Sequence, residues 1–238
     1  MPVIDQFSVR NRLLAALTAD DFALVARDLH PATLARGDVL AELDAPIRFG
    51  WFLESAVGSI IAVSPAGQRV ETALVGRDGF GPASLARGVD RAPFEVLIQM
   101  PGAGFRIDAS ALRDVLPRAP SLRTVLDLYL QTLSTQTGYT ALSNAVHQID
   151  ERCARWLLMM HDRVDGDEIQ LTHEFLSLML AVRRPSVTTA LHVLEGRGLI
   201  RAERGWVTVR DRAGLEAFAA DAYGRSEAEY RRLLGPMG

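Results

Sequence analysis

Leu171-Thr172-His173-Glu174-Phe175-Leu176-Ser177-Leu178-Met179-Leu180-Ala181-Val182-Arg183-Arg184-Pro185-Ser186-Val187-Thr188-Thr189-Ala190-Leu191-His192-Val193-Leu194 is the stretch that decides the fold. Thr172 is a good helix N-cap, and Phe175, Leu176, Met179 and Leu180 give the short helix after it an apolar face. Ala181-Val182-Arg183 reads as a tight turn, with a small residue where two helices must approach closely. A second helix then turns Val187, Ala190, Leu191 and Leu194 inward and presents Arg184, Pro185, Ser186, Thr188, Thr189 and His192 outward. Pro185 suits a first helical turn, and because the residue before a proline avoids helical angles, Arg184 is itself a candidate cap.

Downstream, Leu199-Ile200-Arg201 and Trp206-Val207-Thr208-Val209 bracket Glu203-Arg204-Gly205, the pattern of a β-hairpin. Helix, tight turn, helix and hairpin together form a winged helix-turn-helix. Its second helix offers short polar side chains and an arginine to base edges, and its wing offers arginine to phosphate. Helical hairpins also occur in domains that bind no DNA, but here the exposed face combines Arg, Ser and two Thr with almost no acid. Arg184 is therefore expected to read a base. Pro185, Ser186, Thr188 and Thr189 share its face, and Arg183 and Arg204 are expected at phosphates.

Upstream, Asn11 to Arg27 reads as helical, with Thr18 opening a second short helix. From about Leu34 to Phe105 the pattern changes to short Val-, Ile- and Phe-rich runs punctuated by glycine. Gly58 to Ser64, Arg69 to Val75, Phe94 to Met100 and Gly104 to Ile107 have strand length, which predicts a small antiparallel β-roll or barrel. After Ala109 a helical period takes over: Ser110 to Leu116, then a helix opened by Pro120. Leu122, Leu126, Tyr129 and Leu133 in that helix fall at heptad spacing, and the row continues in polar form through Gln136, Thr140 and Ser143. A helix of about thirty residues exceeds what a compact domain needs, so this row is expected to pack against a second copy of the chain. Gln148 to Val164 forms another amphipathic helix. The fold class is thus α+β, with a β-roll sensor domain over 1–117, a dimerisation helix over 118–147 and a winged helix-turn-helix domain over 148–238.

Composition narrows the function. With 48% hydrophobic and 23% charged residues in 238, the chain can bury real cores. No apolar run approaches the roughly 18 to 20 residues of a membrane span, and the N-terminus lacks a basic start followed by an apolar stretch, so a cytoplasmic location without membrane contact is expected. The single cysteine, Cys153, excludes an internal disulfide framework and a four-thiolate iron–sulfur cluster within one chain, and one Cys with five scattered His leaves no zinc-ligand spacing. No cofactor is expected, and no nucleophile–base pair, carboxylate pair or phosphate loop appears at a motif spacing, so the chain is not expected to be an enzyme. All 26 basic residues are arginine. The net charge is −3, yet Leu171 to Arg212 holds seven arginines against four acids, a local basic patch.

In this order and at this length, the roll, the long helix and the winged helix resemble the Crp/Fnr family of bacterial transcription regulators, and the match spans nearly the whole chain. Its most specific part is Leu171 to Ile200, which is similar to the family pattern of Leu/Ile-Thr, first helix, "Ser-Arg-Glu-Thr-Val", second helix and "Gly-Leu-Ile". The resemblance implies a guanine-reading role for Arg184. Pro185 falls where many members have a base-reading Glu, and Thr189 where some have a second Arg, so a changed operator preference is expected. In members that bind cyclic nucleotides, a Gly-Glu-Leu-like segment is followed some ten residues on by Arg-Ser/Thr-Ala. Here the matching stretch is Gly79-Phe80-Gly81-Pro82-Ala83-Ser84-Leu85, then Arg91-Ala92-Pro93. Pro82 replaces the Glu that holds the ribose hydroxyl, and proline neither accepts there nor donates an N–H. Gly81, Ser84 and Arg91, with Thr137 on the long helix, remain the candidate effector pocket, and the effector is unknown. Haem-sensing relatives use a His or Cys near the roll, for which His30 and His147 are the nearest counterparts.

The function expected is a homodimeric regulator of a palindromic operator in double-stranded DNA, with RNA polymerase as a candidate further partner. An effector, where one acts, would shift a hinge between the long helix and Asn144 to Glu151. Two alternatives stay open: a constitutive DNA binder with a vestigial sensor domain, and a sensor or scaffold that uses its winged helix for protein contacts.

Overall fold

Short polar caps begin the chain's first helices. In the computed structural model, which describes residues 4–236, Asn11 caps α1 (Arg12–Ala15) and Thr18 caps α2 (Ala19–Ala26). Eight strands follow: β1 (His30–Leu34), β2 (Val39–Ala41), β3 (Phe49–Leu53), β4 (Val57–Val63), β5 (Arg69–Val75), β6 (Phe80–Gly81), β7 (Glu95–Met100) and β8 (Gly102–Asp108). They form two antiparallel sheets, ordered β1-β8-β3-β6 and β2-β7-β4-β5. This is the roll expected from the glycine punctuation.

The second sheet explains why its strands read as nearly continuous apolar runs. Alternate residues point to opposite faces. Ile60, Ala73, Val75, Val96 and Ile98 fill the interior of the roll with Phe52, Phe80 and Leu126. Ile61, Leu74 and Leu97, their sequence neighbours, face the other way and join a second core with Trp156, Leu157, Leu176 and Leu191 from the C-terminal half. The outer face of this sheet is therefore the seat of the C-terminal domain.

After α3 (Ala109–Val115), the long helix α4 runs from Pro120 to Val146, with proline in its first turn. Here an expectation is corrected. Leu122, Leu126, Tyr129, Gln136, Thr140 and Ser143 of the heptad row are buried within their own chain. Gln136 accepts from the Leu74 N–H at 2.6 Å, and Thr140 accepts from Arg155 at 3.0 Å. The periodicity marked a buried face correctly, but the covering surface is the chain's own roll and C-terminal half. The opposite side of α4 is exposed and bears Asp127, Gln131, Ser134, Gly138, Ala141, Leu142 and Ala145.

The C-terminal half contains α5 (Ile149–His161), β9 (Glu168–Gln170), α6 (His173–Met179), α7 (Arg184–Gly196), β10 (Ile200–Glu203), β11 (Trp206–Val209), α8 (Arg212–Ala219) and α9 (Arg225–Leu234). α9 folds back along α4, and its Tyr230 belongs to the same core as the roll interior. The Tyr230 hydroxyl donates to the carbonyl of Asp78 at 2.8 Å. Asp78 itself forms a two-pronged pair with Arg163, at 3.0 Å from Nε and 2.6 Å from Nη2, with side chains only 3% and 1% exposed. Burial works against the Arg163 cation, but Asp78 outweighs it and holds the guanidinium above the ordinary arginine range.

Cys153 lies in the second core, and burial pushes its thiol up to about 12, so it is unsuited to nucleophilic or redox work. Among the described residues, no helix is long and apolar enough to cross a membrane, and no group of three His, Cys, Asp or Glu is placed to hold a metal.

Two outcomes follow for stability. Replacing Asp78 by Asn leaves Arg163 buried without a countercharge, and chemical denaturation should show a loss of about 3–5 kcal/mol, whereas the double replacement Asp78→Leu/Arg163→Met should cost less than either single change. The second concerns Glu71 on β5, which accepts from Trp156 Nε1 of α5 at 2.8 Å and pairs with the Ser59 hydroxyl. Burial raises Glu71 from 4.5 to about 7, against the pull of Ser59, Trp156, Arg155 and Arg163. The folded protein thus holds this proton more tightly than the unfolded chain, and the resulting stability is complete below pH 4.5 and lost as pH rises through 7. Wild type minus Glu71→Gln, compared by denaturation at about pH 4.5 and 8, should fall by at most about 3 kcal/mol, and a flat difference would refute the assignment.

Candidate nucleic-acid interface

Thr172 begins the module as expected, accepting from the Phe175 N–H at 3.3 Å. α6 buries Leu176 and Met179. Ala181 then takes a positive φ of 50°, a conformation in which a larger branched side chain would be strained, and the Val182 N–H closes the turn on Ser177. The cap of α7 is Arg183, not Arg184. Arg183 is extended, and its carbonyl accepts from the Ser186 and Val187 N–H groups at 3.0 and 3.4 Å. These bonds close the first turn one residue earlier than the proline rule alone suggests, so Arg184 and Pro185 are both helical.

Val187, Ala190, Leu191 and Leu194 are buried, which leaves Arg184, Pro185, Thr189 and His192 exposed and Ser186 and Thr188 half-buried. The threonine hydroxyls donate within the helix, Thr188 to the carbonyl of Arg184 at 3.2 Å and Thr189 to that of Pro185 at 3.1 Å. Each is then an acceptor toward anything outside. Thr188 also meets His173 Nδ1 at 3.1 Å, a bond that ties the two helices together. Ser186 and Thr189 border a small hollow with Gln148 and Asp150.

Arg184 projects from the N-terminus of α7 with its side chain 61% exposed, and its Nη2 lies 2.8 Å from Oε2 of Glu174, which is 74% exposed. Sequence reasoning missed Glu174 because the contact spans ten residues. The one available signal was that a tight helical hairpin brings the first turn of α6 beside the start of α7. Arg183, Arg184 and Glu174 line one wall of a groove of about 1190 Å³, across from Ser64, Gln68 and Arg69 of the β4–β5 hairpin. The wing forms as expected, with Gly205 at φ 84° in the turn and Arg204 exposed beside it. β9 adds a third strand that was not foreseen, because three residues are too few to show a period.

The candidate effector residues separate. Ser84 and Thr137 line a cavity of about 120 Å³ between the roll and α4, with Pro82, Pro93, Phe94 and Leu133. Gly81 lies in β6 beside Val75 and Val96, outside that lining. Arg91 is exposed and donates to the carbonyl of Asp44 at 2.7 Å. No charged side chain among the described residues lines the cavity. His147 bonds Ser143 and Asp221, each at 3.1 Å, and so ties the foot of α4 to the segment after α8.

Residues 151–218 match the family of Crp-like helix-turn-helix domains. No curated protein matches the chain. Solved structures do. FixK2 from Bradyrhizobium japonicum is similar at 15% identity and a TM-score of 0.67, over 81% of this chain and 98% of that one. TTHB099, a CRP-family transcriptional regulator from Thermus thermophilus, gives 18% identity and a TM-score of 0.63, over 79% and 96%. TTHA1359, a CRP/FNR-family transcriptional regulator from the same organism, gives 19% and 0.62, over 80% and 98%. At such identities the likeness is one of fold.

Proposed function

We propose that this chain, which carries a Crp-like helix-turn-helix domain within the fold of Crp/Fnr regulators, is a sequence-specific transcription regulator that acts in the cytoplasm as a homodimer on a palindromic operator. The observation that supports it most is the exposed Arg184 at the N-terminus of α7, on a face of Ser and Thr groups. An arginine fork matches O6 and N7 of guanine, while Ser186, Thr188 and Thr189 supply neighbouring polar contacts and Arg183 and Arg204 reach phosphates. Pro185 adds only apolar surface, so the operator differs from one read by a Glu at that position.

The dimer is formed by the exposed side of α4. Ser134, Gly138, Ala141 and Ala145 are small enough to let two such helices lie close, and Leu142, 48% exposed, gives the stripe an apolar member. A two-fold axis along this helix repeats α7 at half-sites about 34 Å apart. RNA polymerase is the partner through which such a protein acts on transcription.

Control through the roll takes one of two forms. The cavity beside Pro82 is far smaller than the roughly 300–1,000 Å³ of ordinary ligand pockets and has no charge to hold a phosphate, which favours an uncharged effector of a few non-hydrogen atoms. The same smallness favours the second reading, a constitutive DNA binder whose sensor has lost its ligand.

Selection of binding sites from random DNA tests the core of this reading. Wild type should enrich a palindrome, and Arg184→Ala should lose one guanine per half-site, a change worth about 1–3 kcal/mol of discrimination. Enriched sites without two-fold symmetry would sink the dimer, and an unaltered motif would sink the role of Arg184. Independently, Ala141→Glu should convert a dimer into monomers in sedimentation equilibrium. A wild-type monomer at micromolar concentration would overturn the α4 interface.

A further inference from the structure

Glu174 is an odd residue to find beside the arginine that reads DNA. Its carboxylate stands 2.8 Å from Arg184, and both side chains are mostly open to solvent. An exposed pair of this kind contributes little to folding. A carboxylate placed where phosphates must approach opposes binding to DNA of any sequence, because every phosphate contact there is drawn by positive charge.

The closest approach within the pair is from Nη2. Nε and Nη1 keep their hydrogens, and Nη2 has a second one, so the guanidinium can fork a guanine without leaving Glu174. What the pair removes is freedom. An unrestrained arginine at the end of three methylenes can exchange a missing guanine for a nearby phosphate oxygen, which compensates a mismatch and flattens discrimination. An arginine paired with a neighbouring carboxylate must give up that pair to make the exchange.

We infer that Glu174 is a specificity-determining residue of the DNA interface. It aims Arg184 at the base edge and denies it the phosphate backbone, so a complex lacking the guanine is left uncompensated. This inference rests on the DNA-binding reading above and adds a residue to it. Arg183, on the same groove wall, is the extended cap residue and remains the phosphate contact.

Fluorescence anisotropy on the full chain provides the test, using a duplex selected by the wild type and the same duplex with the Arg184-dependent guanine replaced. Glu174→Gln should tighten binding to the replaced duplex by about 3- to 10-fold, with a smaller gain on the selected duplex, so the guanine preference falls. In an Arg184→Ala background the same change should strengthen both duplexes equally, because only charge is then removed. Glu174→Asp, with a shorter reach, should fall between wild type and Glu174→Gln. An unchanged preference in Glu174→Gln, or an equal change of preference in the Arg184→Ala background, would overturn the inference while leaving the DNA-binding reading intact. Wild type without salt-sensitive binding to any selected duplex would instead bring down that reading and Glu174 with it.

Discussion

The buried pair of Asp78 and Arg163 is the constraint on which the arrangement of the two halves depends. Two charges removed from water each require the other, because neither can be left alone without a large desolvation cost. Everything around them is built to keep them in register. The Arg163 stem lies over Gly76, where an added Cβ would sit 3.1 Å from three of its carbons. The Arg163 carbonyl accepts from Arg77 Nε and Nη2, and its Nη1 donates to the carbonyl of Met159. Asp165, two residues on, holds Arg10 and Arg77. The N-terminal segment, the β5–β6 turn, the end of α5 and the Tyr230 hydroxyl of α9 thus converge on one ion pair. It fixes where α5 ends on the roll, and α5 carries the helix-turn-helix.

The same turn continues into the wall of the cavity beside Pro82. Gly79 passes beneath the ring of Tyr129 with no room for a side chain, and Phe80 and Gly81 lead directly to Pro82 and Ser84 in the cavity wall. Pro82 follows Asp78 by four positions. Pro82 is joined to the pair by four residues of backbone, with Tyr129 packed against Gly79 between them. At the far end of α4, His147 and Asp221 form a second tie. These two ties add to the shared second core, the Glu71–Trp156 bond and the Arg155–Thr140 bond in joining the C-terminal half to the roll and α4.

The parts legible in the sequence are those whose cause is local. Glycine turns placed the strands of the roll, Thr172 and Ala181 placed the helix-turn-helix, and Gly205 placed the wing, since in each case a few adjacent residues dictate the backbone. What escaped was tertiary. The row from Leu122 to Ser143 announced a buried face, yet periodicity cannot say whose surface covers it. Its polar members, read as a dimer seam, are hydrogen-bond partners for Leu74 and Arg155. Asp78 and Arg163 stand 85 positions apart, and nothing near either residue signals the other. Glu174 is an intermediate case, close enough in sequence for the hairpin to imply it. Arg91, a candidate anion ligand by spacing, donates to the carbonyl of Asp44, a partner 47 positions away that no local signal announces.

The arginines are employed in two ways, as ties within the fold and as exposed cations. In the sensor half and its seam, Arg77, Arg91, Arg155 and Arg163 are bound to carbonyls, a hydroxyl or acids of their own chain. The cavity beside Pro82 receives none of them. In the helix-turn-helix and wing, Arg183, Arg184 and Arg204 stand exposed within a patch where arginines outnumber acids, on a chain whose net charge is −3. A polyanion approaching this molecule is repelled by the whole and drawn to one end. The cavity beside Pro82 is lined by no arginine, while Arg183, Arg184 and Arg204 lie exposed on α7 and the wing.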